Sequence, residues 1–273
     1  TLSGSSAASD VYKRQANRSV ALTGSGSDLA DALTGTFTNN QTHTGVVKVT
    51  GNDYTVTDLV TINAGNEGGE INLNDRSVAL TGSAANVKAA LAGTFTLTQT
   101  PTGVVTISDN GTTVNATDIT AIETAKPSGN INITNGVALS GTGAKLKSAA
   151  EALDTIHATT TATVTDTNYN VEQLKAINDK VGGAITLSTT DVTLSGSAAD
   201  LKDALAGSFT SAHTGTVKVT GTYTVSQLKA INNGTAGTIT LANRSIALTG
   251  SGSDLAAALA GTFASSHTGT VTV

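Results

Sequence analysis

Three of the four histidines in this chain stand in the same phrase, His-Thr-Gly, as His43, His213 and His267, and the fourth, His157, sits at a similar point in Ile-His-Ala-Thr-Thr. Imidazole is the side chain best suited to bind a metal or move a proton near neutral pH. A shared metal would need two or three of these rings about 2 Å from one ion. Their spacing opposes that, because equivalent points on alternate turns of a repeating chain lie roughly 10 Å apart, two strand spacings. Position 101 is Pro in the remaining copy of the phrase, which also counts against a catalytic base. The expected role of all four is structural or solvent-facing.

Other chemistry fares no better. The glycines of "TGSGSDL" at 23–29 and 249–255 suggest a phosphate loop, but the third glycine of a dinucleotide fingerprint is missing and the sister copies read "TGSAANV" and "SGSAADL". Glycine here is better suited to a tight corner before a helix. The aspartates form neither an EF-hand loop nor a calcium-binding nonapeptide repeat. No nucleophile, base and orienting group come together in the sequence. The expectation is therefore no enzyme, no catalytic residue, no cofactor and no metal.

One surface stands out instead. Between the helices, apolar and polar residues alternate, and the polar partners are largely threonines: Thr106, Thr134, Thr161, Thr163, Thr165, Thr186, Thr216, Thr238 and Thr240. Such an array offers hydroxyls to ordered water or to a glycan, and makes an adhesin stalk, a glycan-binding face or an ice-binding face the alternative function. β-Branched Thr also favours strands and keeps an exposed face wet without any ligand. Lys48, Glu70 and Lys218 interrupt the array.

The elements that place these residues come as two alternating modules. The first reads "VALTGSGSDLADALTGTF" at 20–37 and returns at 78–95, 137–154, 192–209 and 246–263; the second reads "YTVTDLVTIN" at 54–63 and returns at 113–123, 169–178 and 223–232. Each predicts a short helix, with Ser or Thr at its start and one narrow apolar stripe: Leu29 with Leu33, Val87 with Leu91, Leu201 with Leu205 and Leu255 with Leu259 in the first, Leu59 with Ile62, Ile119 with Ile122, Leu174 with Ile177 and Leu228 with Ile231 in the second. A stripe that narrow docks a helix but cannot sustain one alone.

What the helices dock on is a series of strands whose inward residues run Val47/Val49, Ile71/Leu73, Val105/Ile107, Ile131/Ile133, Ala162/Val164, Ile185/Leu187, Val217/Val219, Ile239/Leu241 and Val271/Val273. Read as one ladder, these are nine rungs joined by alternating short and long coils, roughly 22 and 32 residues. The fold class this predicts is an α/β solenoid, a parallel ladder with short helices, in one array over 1–273. The modules fall near 20–51, 52–77, 78–109, 110–136, 137–166, 167–191, 192–221, 222–245 and 246–273, after an irregular start at 1–16. A hairpin reading competes, since "VKVTGTYTV" can fold back at Thr220-Gly221 and "ISDNGTTV" contains Asn-Gly.

Composition bounds the partners. Of 273 residues only 3% are aromatic and 13% charged, the formal charge is −5, and Cys, Met and Trp are absent. Phosphate binding needs clustered cations, and the sole cluster is Lys13-Arg14, so nucleic acid is not expected. No apolar run approaches the ~20 residues of a membrane span. Lack of Cys suits a secreted or cell-surface protein. The first residue is Thr, which points to a processed or incomplete product, and the stretch "SAASDVYKRQ" at 6–15 resembles translated adapter read-through from environmental sequencing.

From residue 16 onward the two alternating modules resemble the tandem repeats of very large Thr-, Gly- and Asn-rich surface or secreted proteins of bacteria. The resemblance implies adhesion, matrix formation or surface coating, outside the cell or on its surface. Both ends of the chain break off within the pattern, which makes Leu2, Val271 and Val273 candidate assembly ends. The expected partners are other copies end to end, or further repeats of a longer chain, forming a rod or filament.

Overall fold

A computed structural model describes residues 18–34, 41–96, 100–126 and 128–273; Leu2 and the segment at 1–16 lie outside the described residues. The chain divides into two compact units, one of residues 1–109, 118–134 and 152–155, the other of 110–117, 135–151 and 156–273. Among the described residues there are nine helices and fifteen short strands. Among the described residues every strand pairing is parallel, so the chain winds as an α/β solenoid within each unit and the hairpin alternative is not formed there. Gly221, at φ 75°, and Gly111, at φ 64°, supply left-handed corners without reversing the strand.

In the first unit, β1 (Leu22–Gly24), β2 (Val47–Val49) and β3 (Ile71–Leu73) form one sheet, extended by Phe95 against Ile71. A second sheet orders β4 (Leu80–Gly82), β5 (Val105–Ile107) and β7 (Ile131–Ile133), extended by Thr155 against Asn132. In the other unit, β6 (Thr113–Asn115), β8 (Ala138–Gly141), β9 (Thr161–Val164) and β10 (Ile185–Leu187) make a four-stranded sheet that Phe209 continues. Next in sequence come β11 (Leu194–Ser197), β12 (Val217–Thr220) and β13 (Ile239–Leu241), continued by Phe263, then the pair β14 (Leu248–Thr249) and β15 (Val271–Thr272).

The single ladder of nine rungs is thus replaced by five parallel sheets. Ile239 does not meet Val271; Phe263 pairs with Ile239, and Val271 pairs with Leu248. The reason is that the long coil holds two strand segments. Its "LTG" phrase is a strand in its own right before the helix begins, and it seeds the next sheet.

The helices are α1 (Gly26–Leu33), α2 (Val56–Gly65), α3 (Ala84–Leu91), α4 (Ala116–Ala125), α5 (Gly143–Ala152), α6 (Val171–Lys180), α7 (Ala198–Leu205), α8 (Val225–Gly234) and α9 (Gly252–Leu259). Their starts follow from the sequence. Ser25, Ser83, Ser197 and Ser251 cap α1, α3, α7 and α9, while Thr55, Asn170 and Thr224 form reciprocal capping boxes with Asp58, Gln173 and Gln227. The apolar stripes bury as expected: Leu59, Ile62, Leu174, Leu228 and Ile231 have at most a trace of exposed surface, as have Val47, Val49, Val217 and Val219 on the strands.

Candidate functional site

The recurring polar residues all reach from one coil into the next. Tyr54, Tyr169 and Tyr223 precede α2, α6 and α8, and each buries its ring and donates its hydroxyl, at 2.6–2.7 Å, to the backbone carbonyl of Asp75, Thr189 or Asn243. Burial, with the nearby Asp75 and Asp191 carboxylates adding to it, pushes the Tyr54 and Tyr169 phenols up to about 12. A spectrophotometric titration at 295 nm should find these two still largely un-ionised at pH 11, where a free phenol is about nine-tenths ionised. The unfolded chain releases those protons first, near pH 10, so stability falls as pH rises above 10; two phenols titrating at 10 in the folded protein would contradict the placement.

Arg18, Arg76 and Arg244, from the repeated "RS[VI]ALTG" phrase, donate to the carbonyls of Thr42, Thr100 and Ser266. Asn63, Asn178 and Asn232, in α2, α6 and α8, donate side-chain amides to Ala89, Asp203 and Ala257 at the ends of the neighbouring helices. Lys88 meets Asp118 across α3 and α4, and Lys175 and Lys229 meet Asp200 and Asp254 across the helix pairs of the second unit, at 2.6–2.9 Å. Hydrogen bonds from the lysines hold the Asp200 and Asp254 carboxyls below their usual range. Being solvated, such pairs stabilise little and mainly fix helix register. The two grooves that contain them, lined also by Val171 and Gly196 or by Val225 and Gly250, have their cation already engaged.

The histidines belong to the same system. His43 and His213 are fully buried. Nε2 of His43 donates to the Val20 carbonyl at 2.9 Å, and Nδ1 lies 2.7 Å from the Asn66 amide. In a neutral ring Nδ1 accepts, so the Asn66 amide is best oriented with its otherwise unpaired Nδ2 toward the ring. His213 repeats the arrangement with the Val192 carbonyl at 2.8 Å and the Thr235 hydroxyl at 3.2 Å. His267 donates to the Ile246 carbonyl, and His157 is exposed beside Thr159.

The paired positions vary from coil to coil. His43 faces Asn66 and His213 faces Thr235; the corresponding places in the sequence hold Pro101 and Lys126, and Ala158 and Val181. Lys126 is buried, its ammonium held by the Ser128 carbonyl at 2.7 Å, and burial holds it below the usual lysine range. The two His pairs are polar on both sides and hydrogen-bonded, whereas the buried Lys126 is satisfied by the Ser128 carbonyl.

Burial likewise holds the His213 imidazole below its ordinary value of 6.5, against the opposing pull of the Val192 carbonyl and the Asp191 carboxylate. The unfolded chain then binds the proton first. Stability contributed by neutral His213 is complete above about pH 6.5 and is lost as pH falls below it. Melting temperature should drop between pH 7 and 5, and His213→Gln should remove part of that drop. An unchanged pH slope in His213→Gln would show that the ring is protonated as easily in the fold as outside it.

No family model matches the chain, and no curated protein matches it. Among the described residues, no group of three or more His, Cys, Asp or Glu side chains is placed to hold a metal, and no helix is long and apolar enough to cross a membrane.

The threonines are distributed over three sheets. Thr106 on β5 and Thr134 just past β7 share one; Thr161, Thr163, Thr165 and Thr186 share the β8–β9–β10 sheet; Thr216, Thr238 and Thr240 flank Lys218 on a third. None of these nine is buried. At the end of the chain, Val271 is 45% and Val273 89% exposed, and β15 has a strand partner on one side. The sequence did not disclose the Tyr, Arg and Asn contacts, because each ends on a backbone carbonyl 20 to 26 residues away. The signal that was available is their fixed place in each module.

Proposed function

We propose that the chain is a non-enzymatic, extracellular structural repeat protein whose coils stack end to end into a rod or filament. The observation that supports this most is the destination of its recurring polar side chains. Tyr, Arg, Asn and buried His each tie one coil to its neighbour, so the chemistry that recurs in the sequence is spent on stacking. Stability in such arrays is a sum of coil and interface contributions, and each added coil extends the structure without changing its design.

Val271 and Val273 are exposed apolar side chains at β15. A further rung, from later residues of a longer chain or from another copy, would cover Val271 and Val273. A head-to-tail contact between copies does not close on itself and yields a filament. The absence of Cys and the formal charge of −5 fit a secreted or cell-surface setting, with neither nucleic acid nor membrane insertion as part of the role.

Sedimentation velocity over increasing concentration tests the assembly. The wild-type chain should form a growing series of larger species, and Val271→Lys combined with Val273→Lys should remain monomeric. A wild-type chain that stays monomeric at high concentration would refute assembly from separate copies.

A further inference from the structure

The outer face of the four-stranded sheet β6–β8–β9–β10 carries no charge and, at five rungs, is longer than the other uncharged faces among the described residues, such as Thr81, Thr106, Asn132 and Thr155 on the sheet of β4, β5 and β7. Its central row runs Asn115, Ser140, Thr163, Thr186 and, on the strand segment after α7, Thr210. These five are in register, and the Thr210 hydroxyl donates to that of Thr186 at 3.2 Å. Two residues earlier on each rung the side chains are Thr, Ala, Thr, Ala and Ser, and none of the ten positions is buried. In the sheet of β11, β12 and β13 the equivalent row is broken by Lys218, and in that of β1, β2 and β3 by Lys48.

We infer that this face binds the surface of crystalline water. Five rungs at a strand spacing of about 4.8 Å give a file about 19 Å long, with a second file about 6.7 Å away along the strands. Thr is held at χ1 by its β-branch, so hydroxyls and methyls stand in fixed positions before any ligand arrives. The face is neutral and matches a neutral partner.

The energetics select a solid over a soluble sugar. Each hydroxyl contact made in water is worth only about 0.5–1.5 kcal/mol. A free glycan must also repay about 4–15 kcal/mol of lost freedom, and the face has no aromatic ring for a sugar to stack on. Adsorption to a crystal costs the protein the same kind of freedom, but an extended ordered surface engages both files at once, where a short glycan meets only a few hydroxyls.

Ice recrystallisation in a thin frozen film of the purified chain tests the inference. Wild-type protein should keep the crystals small. Thr163→Lys with Thr186→Lys should abolish the effect with an unchanged melting temperature, while Thr240→Lys, beside the existing Lys218, should retain it. Thr163→Gln, a neutral but oversized change, should also lose it, which guards against a charged variant that fails to fold. Crystals coarsening with wild-type protein as they do with an inert protein would overturn the inference. So would equal loss in Thr240→Lys, full activity in Thr163→Gln, or retention on an insoluble glycan without any effect on ice.

Discussion

Replacing Gly237 by Ala should lower unfolding stability by about 4 kcal/mol or more, a loss reserved for changes that the surrounding structure has no room to absorb. An added Cβ at Gly237 would run into the carbonyl oxygens of Gly215 and Thr214 on the preceding coil. Gly215 in turn sits against the carbonyls of Val192 and Asp191 one coil earlier. The obstacle is backbone on both sides, and a backbone held by parallel strand pairs cannot swing aside as a flexible side chain can. The glycine of each "HTG" phrase, at 45, 215 and 269, therefore marks a close approach of neighbouring coils, as Gly237 does on the intervening one. Gly196→Ala provides the contrast, because its added Cβ meets only the Val171 side chain at an ordinary 3.5 Å. It should change stability by less than about 1 kcal/mol. Urea titration followed by circular dichroism compares the two; equal effects would show that the close approach is not what holds the coils.

Leu228→Ala should cost about 3–5 kcal/mol. Leu228 is fully buried in α8, and with Ile231 it makes up most of the apolar stripe that this short helix presents. Helices α7 and α9 pack on either side of α8, so the cavity weakens two helix contacts. Because stability in a coil array passes through nearest neighbours, the transition should also broaden as the coils decouple. Ser226→Ala, exposed on the same helix, should stay within about 0.5 kcal/mol. A Leu228→Ala protein as stable as Ser226→Ala would mean that α8 is not docked through that stripe.

The parts of the fold that were legible are those in which periodicity and packing agree. The i, i+3 stripe of Leu228 and Ile231 and the period-2 row of Val217 and Val219 each have one face to bury, so the sequence determines where they lie. The division into five sheets was not legible. Leu194 and Leu248 stand in strand segments of only two to four residues that run directly into helix caps, too short for alternation to declare itself. Phe263 joins its sheet through a single bridge. The histidines could be removed from metal chemistry by their spacing, yet their joints with Asn66 and Thr235 depend on contacts between distant residues. A sequence read residue by residue does not state which coil lies next to which.

Electron microscopy of the native material tests the stacking account most directly. Unbranched rods of constant width, several times longer than one chain can span, are the predicted result, with a strong diffraction spacing near 4.8 Å along the rod axis from its parallel rungs. Isolated short particles at every concentration, with no axial 4.8 Å spacing, would contradict it.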